Sequence, residues 1–148
     1  MTCRTDTALS IRNSLYARYP NAKVFLLDEH YDVPPRGEID KLYKKFQNKM
    51  RATRLTAWVK NKGDCDKWAW LFKAFVTVRN WLSPNKNALP VGFICYNIGG
   101  KERQGHAINM YLETKGDTRY VRELEPQPGH GTKELTRSER KSVWLVVL

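Results

Sequence analysis

The stretch Gly63-Asp64-Cys65-Asp66-Lys67-Trp68-Ala69 decides how this chain is read. Gly63 ends the segment before it. Asp64 has the chemistry of an N-cap, a short carboxylate that can accept from a backbone N–H of the following turn. A helix is therefore expected from Cys65 to about Trp81, broken by Ser83-Pro84-Asn85. Trp68, Ala69, Leu71, Phe72, Phe75, Val76 and Val78 make it apolar on most sides, so it is expected to be the central, buried helix.

Upstream, residues 6–19 form a first helix candidate with Leu9, Leu15, Tyr16 and Tyr19 as an imperfect apolar stripe and Pro20 at its end. Residues 23–27 read as a short strand and residues 28–36 as a loop. Ile39, Leu42, Tyr43, Phe46 and Met50 recur at helical spacing after Pro34-Pro35, which predicts a helix over about 38–50. Downstream, residues 91–98, 106–113, 119–125 and 143–148 are strand-like, with turns at Gly99-Gly100 and Lys115-Gly116-Asp117. Trp68 and Trp144 are expected in the core, and Cys95 in a buried strand. Helices first and strands second give an α+β class: N-terminal helices and a central buried helix packed on an antiparallel sheet.

The chain has 148 residues, which suits a single domain over 1–148. Hydrophobic residues make up 41%, enough for a core, so wholesale disorder is excluded. No apolar run approaches the length of a membrane span, and the N-terminus has no stretch of signal-peptide length, so a soluble, cytoplasmic protein without membrane partners is expected. Cys3, Cys65 and Cys95 are odd in number and widely spaced, which argues against a disulfide scaffold or a CxxC metal site. The net charge is +11, and much of it comes from residues 41–62, which hold eight basic and no acidic side chains. This segment is either a solvated face or a surface for an anionic partner.

Three places carry candidate chemistry. A cysteine in the first turn of a helix lies beside free backbone N–H groups and the positive end of the dipole, and both favour thiolate. The same N–H groups can receive an oxyanion. His106 opens an apolar strand after a Gly-rich turn, where an imidazole can serve as base for a thiol. Glu125 closes the next strand before Pro126. Antiparallel pairing of the two strands sets Glu125 beside His106, where a carboxylate can orient the ring. Asn109 and Glu123 are rivals of Glu125 for that role, and Trp58 or Gln47 are candidates to complete an oxyanion hole. Trp70 points about 200° away from Trp68 at 100° per residue, so it is free to line a cleft or an interface.

Gly63-Asp64-Cys65-Asp66 with Trp68-Ala69, then Gly105-His106-Ala107, then Leu124-Glu125-Pro126, resembles the transglutaminase-like branch of the papain-like cysteine peptidase superfamily. The resemblance runs from about residue 63 to 127. It departs from that family's pattern where Glu125 stands in place of the more usual Asp. It implies a papain-like/transglutaminase-like core with Cys65 as nucleophile, His106 as base and Glu125 as orienter. It also implies a cysteine-dependent hydrolase or acyltransferase acting on amide or isopeptide bonds of a protein or peptide substrate, with no cofactor and no metal.

The alternative is an inactive version of that fold, a basic binding module for an acidic protein or nucleic acid. In either case Trp58, Trp70, Lys49, Arg51 and Arg54 are the candidate substrate- or partner-binding residues. A zinc site at Cys65, His106 and Glu125 would need Asp66 or His130 as a fourth ligand, and no paired-ligand spacing supports it. Small basic proteins of this size are often phage-made, although no residue here marks such an origin.

Overall fold

The structure is a computed structural model, and it describes residues 2–57, 59 and 63–148. β1 (Arg4–Thr7) runs into α1 (Ala8–Arg18), followed by β2 (Lys23–Phe25) and β3 (His30–Val33). Two longer helices come next, α2 (Glu38–Ala52) and α3 (Cys65–Trp81). β4 (Val91–Asn97), a 3-10 turn at Ile98–Gly100, β5 (Gly105–Lys115) and β6 (Thr118–Leu124) form a meander. β7 (Thr132–Lys133), α4 (Arg137–Lys141) and β8 (Leu145–Val147) complete the chain.

Six strands form one sheet in the order β2-β8-β4-β5-β6-β7, and β1 pairs with β3 in a separate antiparallel ribbon. The expectation of an antiparallel sheet is corrected at one edge, where β2 and β8 run parallel. Parallel neighbours need a long crossover, and here most of the chain lies between the two strands. Two more strands come from segments without an apolar alternation. β3 holds His30 and Asp32 and was expected as loop, yet pairing with β1 buries its Tyr31 and Val33. Asp32 is held there by the Thr5 hydroxyl, the backbone N–H groups of Lys86 and Asn87, and the Asn87 amide.

The sheet separates two apolar clusters. Ile108, Met110 and Leu112 of β5 pack with Ile11 and Leu15 of α1 and with Tyr19 at its C-cap. The intervening Tyr111 packs with Ile39, Tyr43 and Phe46 of α2 and Trp68, Phe72 and Val76 of α3. This is the period-two alternation of a strand buried on both faces. Phe46 meets Trp68, Phe72 and Phe75 edge-on at 6.1, 5.3 and 5.6 Å, a geometry that favours aromatic pairs.

The helix opened by Cys65 is buried along one side only. Leu71, Val78 and Trp81 are exposed, so its apolar character on most sides does not mark a fully enclosed helix. Trp144, expected in the core, is also exposed, and in α1 the buried apolar positions are Ile11 and Leu15 while Leu9 and Tyr16 face solvent. Gly92 shows where β4 and β8 approach most closely, since a Cβ there would sit 2.1 Å from the Val147 carbonyl oxygen. Among the described residues no helix is long and apolar enough to cross a membrane.

Candidate functional site

Asp64 occupies the N-cap position of α3, but its carboxylate makes no capping hydrogen bond to the helix backbone, a correction to the capping expected of it, and Cys65 is the first residue of the helix. The turn is fixed from both sides. Lys67 reaches back to Asp64 at 2.9 Å, and the Trp68 indole N–H donates to the Gly63 carbonyl at 3.0 Å. The Cys65 thiol is free and half-buried, at the positive end of a 17-residue helix. It lies near β4. Burial, then Cys65 and Asp66, push the Cys95 thiol up to about 11. Burial, then the carboxylates of Glu139 and Glu125, and then Cys65 raise the Tyr96 hydroxyl well above its ordinary value.

β4 pairs Tyr96 with His106 and Cys95 with Ala107, so the imidazole stands on the strand next to these residues. The Tyr96 ring meets the His106 ring edge-on at 5.7 Å. β5 and β6 pair antiparallel, as the sequence led us to expect. Continuing their register puts Glu125 diagonal to His106, and His106 Nε2 lies 2.5 Å from Glu125 Oε2. Both side chains are largely buried. The second carboxylate oxygen accepts from the Gln127 backbone N–H at 3.4 Å. This leaves Nδ1 as the ring nitrogen not engaged by Glu125.

The loop after β6 is clamped from α2. The Tyr43 hydroxyl donates to the His130 carbonyl at 2.9 Å, and Gln47 Nε2 donates to the Pro126 carbonyl at 3.1 Å. Burial, followed by the Glu125 charge, pushes the Tyr43 hydroxyl up to about 12. Gln47, a candidate for an oxyanion hole, is thus committed to holding the Glu125 loop. Beside it an open cleft of about 520 Å³ is bounded by Ile98, His106, Glu125, His130 and Lys133. Lys133 Nζ donates to the Tyr96 hydroxyl at 2.6 Å. Neither Lys133 nor Tyr43 stood out in the sequence. Lys133 belongs to a two-residue strand without pattern, and Tyr43 reads as one more apolar position of α2.

The two rivals of Glu125 are placed elsewhere. Glu123 is buried on the α1 side, where Arg18 Nε and Nη2 reach it at 2.7 and 2.8 Å and the Tyr19 hydroxyl at 2.7 Å. Asn109 donates from Nδ2 to the carbonyls of Ala69 and Gly92, both at 2.9 Å, and so ties α3 to the sheet. Among the described residues no group of three His, Cys, Asp or Glu is arranged to hold a metal ion.

Trp70 is exposed on α3, tilted against Phe93 with ring centroids 4.7 Å apart. Asp66, Lys67, Leu71 and Ala74 complete an open shelf of about 470 Å³ around it. Lys49 and Arg51, at the end of α2, and Arg54, just beyond it, are exposed cations. Trp58 lies outside the described residues.

The chain matches the family model of the ricin-type beta-trefoil lectin C-terminal domain over residues 2–144. It belongs to that family. Two solved structures share the fold. One, titled "PSL1a-E64 complex", is 23% identical with a TM-score of 0.74, and the match covers 97% of this chain and 51% of the other. The second is Polyporus squamosus lectin bound to the human-type influenza-binding epitope Neu5Aca2-6Galb1-4GlcNAc. It is 22% identical with a TM-score of 0.71, over 97% of this chain and 49% of the lectin. The chain thus spans about half the length of these lectins. No curated protein matches it.

Membership of a lectin family corrects the resemblance to transglutaminase-like peptidases and the papain-like/transglutaminase-like core inferred from it. The reading as a cysteine peptidase, hydrolase or acyltransferase for a protein or peptide substrate is withdrawn with it. So is the alternative, a basic module for an acidic protein or nucleic acid through residues 41–62. The residues behind the resemblance reach only from about 63 to 127, whereas the lectin-domain match takes nearly the whole chain. Their local roles also explain part of the pattern. Gly63 and Trp68 close the turn, Asp64 pairs with Lys67, and the Ala69 carbonyl receives Asn109.

Proposed function

We propose that this chain serves a glycan-binding lectin as its C-terminal domain, and that the Trp70 shelf is its sugar-contacting surface. The carrying observation is the family match over residues 2–144. One structural neighbour is titled with a bound sialylated trisaccharide, so an acidic glycan is the ligand class inferred here. An exposed indole braced by Phe93 offers a rigid apolar plane for the C–H face of a pyranose, and Asp66 and Lys67 flank it with an acceptor and a donor. Lys67 supplies positive charge on the shelf for a sugar carboxylate. Titration calorimetry with Neu5Acα2-6Galβ1-4GlcNAc tests the reading. Binding that Trp70→Ala abolishes supports it, and a folded chain that takes up no glycan overturns it.

A second role is favoured by the 2.5 Å contact between His106 and Glu125. We infer that Cys65, His106 and Glu125 form one working site in this domain, with Cys65 as nucleophile, His106 Nδ1 as its base and Glu125 orienting the ring through Nε2. One neighbour is titled as a complex with E64, which makes E64 the probe of choice. Mass spectrometry after incubation should place a single adduct on Cys65, weakened in His106→Ala. Equal modification of Cys65 and Cys95 sinks this assignment. We further read residues 1–148 as a single domain that resides in the cytoplasm. Free thiols at Cys3, Cys65 and Cys95 support that residence. One protease-resistant fragment, and retention of a tagged chain in the cytosol, are the expected results.

A further inference from the structure

Away from the His106–Glu125 cleft and the Trp70 shelf, a recess of about 320 Å³ opens between α3 and the segment around β3 and β4. Val76, Leu89, Val91 and Leu148 give it apolar walls, Lys73 enters it from α3, and Asp28 lies on its rim. The Lys73 ammonium carries three N–H donors. One of them goes to the Val91 carbonyl at 3.0 Å. Among the described residues no carboxylate forms an ion pair with Lys73, and Asp28 acts on it only at longer range. A half-buried cation with spare donors beside apolar walls is costly to leave unpaired.

We propose that this recess is a binding site for a small organic carboxylate with an apolar body, anchored by Lys73. A carboxylate offers two coplanar acceptors to the two remaining ammonium protons, and such charge-assisted bonds are the strong ones. Asp28 on the rim selects against more highly charged anions such as a phosphate dianion, because like charges at close range are repelled. The apolar walls require a hydrocarbon body, and the volume lies at the small end of ligand pockets, which limits it to a short chain or a single ring. The electrostatics agree, since burial holds the Lys73 ammonium below its ordinary value with only Asp28 opposing. A paired anion would shift it back toward that value.

Octanoate and octanol are the probes, followed by calorimetry and by the shift in unfolding temperature of the whole chain. The chain should bind one octanoate, at least about tenfold more tightly than octanol. Lys73→Met should erase that preference and leave octanol binding unchanged. Asp28→Asn should tighten octanoate about two- to threefold, an effect that fades with added salt. Asp28 is exposed, so this variant keeps the test decisive even if Lys73→Met fails to fold. Absence of octanoate binding, equal affinity for the two probes, or an Asp28→Asn variant that binds octanoate no better would each overturn the proposal.

Discussion

The two faces of the six-stranded sheet treat their polar groups in opposite ways. On the α1 face each buried charge is closed off. Glu123 is gripped by Arg18 and Tyr19, and Asp6 pairs with Arg119, which also bonds Ser10 and Ser14. On the α3 face polar groups are left with spare capacity. Cys65 is a free thiol at a helix start, and Lys73 uses one of its three donors within the described residues. Closed networks position the chain, whereas open ones can receive something. The contrast separates scaffold from candidate site without reference to any family.

The sharpest way to break this contrast is to open the closed face. Glu123→Ala would leave the Arg18 guanidinium half-buried and the Tyr19 hydroxyl without its acceptor. Removing one partner of a buried pair costs about 3–5 kcal/mol. Urea unfolding should show that loss, and a change below about 1 kcal/mol would mean that the α1 face is no more committed than the α3 face.

A smaller effect belongs to Asp32, beyond the sheet itself but equally closed. Burial opposes its ionisation, but hydrogen bonds from Asn87, Thr5 and Lys86 outweigh it and hold the carboxyl below its ordinary value. The sign follows from linkage. A carboxyl whose folded value is depressed contributes stability that is present above its unfolded value, about 3.9, and is lost as pH falls through the lower folded value. Wild-type stability should therefore drop on acidification below about pH 4, and Asp32→Ala should cost about 2 kcal/mol at neutral pH and flatten that part of the curve. A variant with an unaltered acid limb would place the loss elsewhere.

The sequence revealed these faces unequally. The N-cap position of Asp64, the start of α3 at Cys65 and the antiparallel pairing that brings His106 to Glu125 were all legible, because each rests on local chemistry or on a short turn between neighbouring strands. The parallel edge between β2 and β8 was not, since nothing in three-residue strands announces a partner on the far side of the chain. The choice between Glu123 and Glu125 was also closed to inspection. Both fit the alternation of one strand, and only the packing of Arg18 and Tyr19 at the end of α1 decides which carboxylate is occupied. The family was misread for a related reason. A capped turn, a strand histidine and a Glu-Pro ending are short patterns with sound local causes, and the lectin-domain match depends on the whole chain.

The smallest effect on stability is expected at the site itself. Cys65→Ser replaces a free, half-buried thiol with a hydroxyl of similar size, and the closure of its turn by Lys67 on Asp64 and by Trp68 on Gly63 is untouched. Unfolding should shift by no more than about 0.5 kcal/mol. Cys95 supplies the internal control for reactivity. Burial and the neighbouring Cys65 and Asp66 hold its thiol up to about 11, so at neutral pH it is almost wholly protonated. Its alkylation should be slow near pH 7 and climb about tenfold per pH unit toward that value. Cys65, half-buried at the helix start, should label faster at neutral pH. If Cys65→Ser unfolds the chain, the thiol is structural and the open face loses its central member. If the variant keeps its stability and loses the fast labelling, the spare capacity of that face is functional.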